Sequence, residues 1–214
     1  MQHNVFDIEQ RVKRYWYTDG IGELIGGGMF ILLGIYFALQ GFLGQNSMIG
    51  GILQVSLILV MIGGMAVSRR LINTLKTRLT YPRTGYVEYQ VDEQKMKFRR
   101  VWVMILAFVI SALTMVFVRL FQAFDSIVAV TGVAVGLILV ILRAKSAGVS
   151  RFYILGAISI ALGLALSMSG WSNGYNLGLF YGLMGLCFML SGGWTLRRYL
   201  EANPLPVNAG PYND

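Results

Sequence analysis

Few residues in this sequence have the chemistry of a catalyst. The string Gly170, Trp171, Ser172, Asn173, Gly174 satisfies the G-x-S-x-G pattern of serine hydrolases, in which a serine on a sharp turn is activated by a histidine base. The chain contains one histidine, His3, and the topology argued below puts it across a membrane from Ser172. That separation excludes an ordinary Ser-His pair and predicts a polar outer turn around Ser172. One histidine and one cysteine, Cys187, also leave no Cys/His metal cluster, no intramolecular disulfide and no bis-histidine haem ligation, so no cofactor is specified. Cys187 is expected to be a small apolar side chain. Ion- or proton-coupled transport normally leaves an ionisable residue within a span. Here Glu23, Arg119 and Asp125 all sit at the edges of apolar runs, and Arg119 and Asp125 are expected to snorkel to the interface or to pair across the short outer turn.

The elements that carry these residues follow from composition. The 214 residues are 56% hydrophobic and only 13% charged, with 26 glycines and a mean hydropathy of +0.61. Soluble domains carry about a quarter charged residues, so a soluble enzyme is disfavoured. Six apolar runs, 21–42, 48–68, 101–120, 127–142, 152–168 and 175–196, approach the roughly 20 residues that a helix needs to cross a bilayer. The fold class expected is therefore all-α: an integral membrane bundle of six transmembrane helices. Residues 1–20 lack the apolar core of a signal peptide. Val5, Ile8, Val12 and Tyr15 recur there at helical spacing, which predicts an amphipathic helix on the cytoplasmic membrane surface or docked on the bundle. The tail 197–214, with three of the four prolines, is expected to be extended or disordered.

Net charge is +8, which in a soluble protein would suggest nucleic acid. Placement decides otherwise. Of the 18 basic residues, 17 fall on one side of the six-span arrangement and Arg119 alone on the other, the sorting that orients membrane proteins with basic loops in the cytoplasm. Both termini are then expected to be cytoplasmic. Tyr17, Trp102, Tyr153, Trp194 and Tyr199 on one edge, and Trp171 and Tyr175 on the other, fit interfacial belts.

Nine of the basic residues lie in one link, 69–100. Arg69, Arg70, Lys76, Arg78, Arg83, Lys95, Lys97, Arg99 and Arg100, with Tyr81 and Tyr86, form a candidate surface for anionic lipid, each basic residue adding about 1 kcal/mol near the membrane. Docking of an acidic protein partner is the alternative, and nucleic acid is disfavoured. Leu71, Ile72, Leu75 and Leu79 extend a helix beyond the membrane, and Tyr81 before Pro82 is expected to end it.

Glycines at four-residue spacing, Gly22 and Gly26, Gly132 and Gly136, and Gly174, Gly178 and Gly182, predict faces where helix backbones approach closely, within the chain or between copies in a homo-oligomer.

The stretch Leu79, Thr80, Tyr81, Pro82, Arg83, Thr84, Gly85, Tyr86, Val87, between a second and third span, resembles one in uncharacterised bacterial multi-pass membrane proteins. The resemblance implies an inner-membrane location and no catalytic activity. The function expected is that of a non-catalytic subunit or scaffold of a membrane complex. The alternative is a small permease, or permease subunit, for a neutral or apolar substrate, with Gln40, Gln54, Ser56, Ser111, Thr114 and Gln122 as polar lining.

Overall fold

The computed structural model describes residues 17–43, 48–84, 126–141 and 148–204, and these are helical apart from short turns, with no strand among them. Helix α1 is Ile21–Leu43 and α2 is Met48–Leu75. A five-residue π-helical turn, Lys76–Thr80, joins α2 to the short α3, Tyr81–Thr84. Then follow α4, Ser126–Ile138, α5, Arg151–Ser167, and α6, Asn173–Ala202.

Two helices, α1 and α6, are long and apolar enough to cross a membrane. At 1.5 Å per residue, the 23 residues of α1 extend about 35 Å, against a hydrocarbon core of about 30 Å. Of the six expected spans, the first and sixth meet this test. The second falls within the 28 residues of α2, and the fourth and fifth coincide with apolar helices shorter than a full span. The third, 101–120, lies outside the described residues, as do most of the expected surface helix, residues 85–100 of the basic link and the tail beyond Pro204.

Two expectations about helix ends change. Tyr81 and Pro82 do not stop the helix: Tyr81 keeps helical angles (φ −63°, ψ −37°), and its N–H bonds back to the Lys76 carbonyl, five residues earlier. Pro82 follows within α3 and contributes no N–H to the helical run, which ends two residues later at Thr84. The tail is also helical as far as Ala202 rather than extended from residue 197. The Arg83 guanidinium donates to the Asn203 carbonyl at 2.7 Å and the Leu200 carbonyl at 3.3 Å. A cation is thereby placed on carbonyls that a helix C-terminus leaves unpaired.

The helices associate through glycine. Among the described residues, helix α1 packs most extensively on α6, the last described helix, and the two run antiparallel. A Cβ on Gly27 would lie 2.7 Å from the Gly185 carbonyl oxygen. One on Gly34 would lie 2.7 Å from the Gly182 nitrogen, and one on Gly41 would lie 3.0 Å from the Tyr175 nitrogen. Gly20 meets Gly192 in the same way. Gly20, Gly27, Gly34 and Gly41 recur every seven residues, as do Gly178, Gly185 and Gly192 on the partner helix. Seven residues are nearly two turns, so each series keeps to one helix face.

Around this seam Phe30 packs on Tyr181 and Phe188, with centroids 5.6 and 5.2 Å apart, and Phe37 stacks on Tyr181 at 5.4 Å. Antiparallel α4 and α5 repeat the arrangement. A Cβ on Gly132 would come within 2.7 Å of Gly163 Cα, and one on Gly136 within 2.8 Å of the Gly156 carbonyl oxygen. That proximity lets the buried Ser159 hydroxyl donate to the Gly132 carbonyl at 2.9 Å, an interhelical bond of the kind that holds membrane helices together. Val128, Phe152, Leu155, Phe180, Met184 and Phe188 fill the space between α4, α5 and α6, with Cys187 packed at its margin.

Candidate functional site

The start of α1, the π-turn after α2, the start of α5 and Ser191 in the second half of α6 meet in one polar cluster. Asp19 precedes α1 in a turn made by Gly20, whose positive φ of 70° a side chain would strain. Asp19 Oδ1 accepts from the Ile21 N–H at 3.2 Å, capping the helix. Its Oδ2 receives the Lys76 ammonium at 3.2 Å and the Thr80 hydroxyl at 3.3 Å. Both charged side chains are almost wholly enclosed, Lys76 5% and Asp19 1% exposed.

One turn along α1, Glu23 is buried as well. Arg151 approaches its Oε1 with Nε at 2.7 Å and Nη2 at 2.5 Å, and the Ser191 hydroxyl donates to Oε2 at 2.8 Å. The same Arg151 Nη2 also donates to the Tyr17 carbonyl, and its guanidinium lies 5.6 Å from the Phe152 ring centroid. Both carboxylates have their oxygens engaged, so the cluster joins segments and offers no open ligand position. Among the described residues no group of three or more His, Cys, Asp or Glu could hold a metal.

The expected basic surface divides. Arg69, Arg70 and Arg78 are exposed, and among the described residues they form no ion pair. Lys76 turns inward to Asp19, Arg83 caps α6, and Tyr81 is half-buried. Tyr86, Lys95, Lys97, Arg99 and Arg100 lie outside the described residues, as do Arg119 and Asp125. Glu23, at the edge of the first apolar run, is buried, and Arg151 and Ser191 satisfy it. Asp19, Thr80, Arg151 and Ser191 are partners that no motif announced. Their available signal was two acidic residues, four positions apart, at an otherwise basic end of the chain's first apolar run.

The glycines divide too. Gly132, Gly136, Gly174 and Gly178 face neighbouring backbone, whereas Gly22, Gly26 and Gly182 have nothing within 4 Å of a built Cβ, although the Gly182 backbone itself lies against Gly34.

At the opposite end, the G-x-S-x-G segment forms the turn between α5 and α6. Gly170 has a positive φ of 70°, and Ser172 stands at the N-cap of α6, exposed to solvent. Asn176, fully buried, organises the turn: its Nδ2 donates to the Trp171 carbonyl at 3.1 Å and its Oδ1 accepts from the Ser169 hydroxyl at 2.9 Å. A cavity of about 420 Å³ opens beside this turn, lined by Phe37, Gln40, Gly41, Ile127, Ser172, Asn173, Gly174 and Leu177. Gln40 alone of the expected polar lining reaches it. The side chain of Gln54 and residues Ser111, Thr114 and Gln122 are outside the described set, and Ser56 is half-buried on α2.

No protein-family model, curated protein or solved structure matches the chain.

Proposed function

We propose that this protein is a six-span integral membrane protein with cytoplasmic termini. It acts as a non-catalytic subunit or scaffold that presents a basic cytoplasmic surface to anionic lipid or to a protein partner. The setting is a bacterial inner membrane, and the resemblance of the loop from Leu79 to Val87 agrees with it. The observation that carries the reading is the polar cluster. It gathers the start of α1, the π-turn after α2, the start of α5 and Ser191 of α6 at one end of the bundle, the end that charge sorting, which counts Lys76 and Arg151, assigns to the cytoplasmic side. At that end Arg69, Arg70 and Arg78 stand exposed. Along the helices between the two ends, large apolar side chains face outward, among them Phe42 at 76% and Leu190 at 73% exposure. A water-facing surface rarely carries so many contiguous apolar groups, whereas a lipid-facing one requires them.

Replacing Arg69, Arg70 and Arg78 together with glutamine is expected to weaken retention of phosphatidylglycerol about fivefold per residue, following roughly 1 kcal/mol for each basic residue near the surface. Retention is read by native mass spectrometry of the protein released from mixed-lipid nanodiscs, and the zwitterionic lipid count should not change. Equal loss of both lipids would sink the lipid role. A periplasmic reporter active at either terminus contradicts the topology. Purification that returns only isolated monomer counts against a subunit role.

A second reading, a permease or permease subunit for a neutral substrate, is favoured by one observation: the cavity at the outer end reaches Gln40.

A further inference from the structure

We propose that the groove between α1 and α6, on the face turned away from α4 and α5, holds a single acyl chain of an outer-leaflet phospholipid. The groove encloses about 630 Å³, and its walls are the two helices long and apolar enough to cross a membrane. Ile31, Ile35, Leu179, Leu183 and Leu186 line its sides, all but Ile31 exposed. No lining residue is charged, and the backbone groups of the walls are committed to helical hydrogen bonds. An apolar cavity of this kind stays dry, and at membrane depth hydrocarbon is what reaches it. The helices cannot close the gap themselves. A Cβ on Gly178 would lie 2.8 Å from the Ala38 nitrogen, and one on Gly34 would meet Gly182, so the two backbones are already in contact. A Cβ on Gly182, by contrast, would meet nothing within 4 Å, because the space beside it is the groove. An empty gap forfeits dispersion contacts, and one ordered chain recovers them.

Length selects the occupant. The groove runs along α1 from Ile31 to Ala38 and along α6 from Tyr175 to Leu186, about 10 and 17 Å at 1.5 Å per residue, close to half of the roughly 30 Å hydrocarbon core. Ile31 lies near the middle of α1, and beyond it toward the polar cluster Met189 packs on Gly27 and Leu24 lies against Gly193. A membrane-crossing helix of a second copy needs a face that runs the whole thickness, whereas a chain of one leaflet needs half. At the outer end of the groove Trp171 and Tyr175 stand exposed, ring types that favour the headgroup level.

The inference rests on the membrane-spanning reading above but is independent of the basic surface, because it takes the chain, whatever the headgroup, at the other end of the bundle. The probe is phosphatidylcholine with a diazirine midway along one acyl chain, photolysed with the full-length protein in nanodiscs and mapped by mass spectrometry. Adducts at 31–38 and 179–186 are expected to exceed by about fivefold those at Leu59, Ile62 and Ile154, apolar residues at least as exposed. A phosphatidylglycerol version of the probe should give the same map. Replacing Arg69, Arg70 and Arg78 should leave it unchanged.

Gly182→Leu fills the groove without entering the contact between α1 and α6, and should remove the excess labelling while thermal stability is kept. Ile35→Trp narrows the groove from the α1 side and should do the same even if Gly182→Leu folds poorly. Even labelling of all exposed apolar residues overturns the site and leaves the spanning reading standing. Strong labelling of α2 with none at 31–38 and 179–186 means that protein, a second copy or the run 101–120, covers the groove, which also overturns it. Absence of adducts anywhere ends the spanning reading and the site with it.

Discussion

Asp19→Asn is expected to destabilise the protein by about 3–5 kcal/mol, the cost of removing one charge from a buried ion pair. The substitution keeps shape and the acceptor for the Ile21 N–H, so the loss is specific to Lys76, whose side chain is 5% exposed and 3.2 Å from the carboxylate. Lys76→Met alone is expected to cost less, because Asp19 retains the Ile21 and Thr80 bonds. The double variant Asp19→Asn, Lys76→Met should regain most of the stability lost by the first, since replacing both members of a buried pair is often close to neutral. Denaturant titration in mixed micelles gives the double-mutant cycle. Strictly additive losses would mean that the pair is not coupled and that the cluster does not join α1 to the π-turn.

Gly34→Ala should separate two readings of the same residue type. A methyl there would meet the backbone of Gly182 and Gly178 at 2.7 and 2.9 Å, atoms that cannot rotate away, so α1 and α6 must part. Overpacking of this kind costs about 1–3 kcal/mol, more than the helix propensity that alanine gains over glycine, about 1 kcal/mol. Gly34→Leu should separate the helices outright. Gly26→Ala, with nothing within 4 Å, keeps the propensity gain and pays no steric cost. Thermal unfolding should therefore rank Gly26→Ala at or above wild type and Gly34→Ala clearly below it. Identical melting for the two alanine variants would exclude the glycine seam as the contact that holds α1 to α6.

The helical class and the positions of five helices were legible because apolar runs of the right length are a long, redundant signal, tolerant of a residue or two at either end. The pairing of helices was not. Four-residue spacing drew attention to Gly22 and Gly26, which face no neighbour, while the seven-residue series from Gly20 to Gly41 carried the contact. Both spacings keep glycine on one face, and only the partner helix decides which face is covered. The extension of α6 to Ala202 and the inward turn of Lys76 depend on contacts between residues more than a hundred and more than fifty positions apart, Arg83 with Asn203 and Lys76 with Asp19. Local propensity has no access to either. The outer cavity was signalled only by Gln40, one amide among several in the apolar runs.

The pairing of the first described helix with the last also bears on biosynthesis. Gly34 and Gly178 are roughly 140 residues apart in the chain, and ribosomes add about 5–20 residues per second. For about 7–30 s after it is made, α1 has its glycine face open and Glu23 lacks Ser191, whereas Lys76, 57 residues after Asp19, is made within about 3–11 s. A nascent chain halted before α6 therefore holds an α1 whose glycine face is uncovered. That interval is when membrane chaperones and quality-control proteases have their access to it.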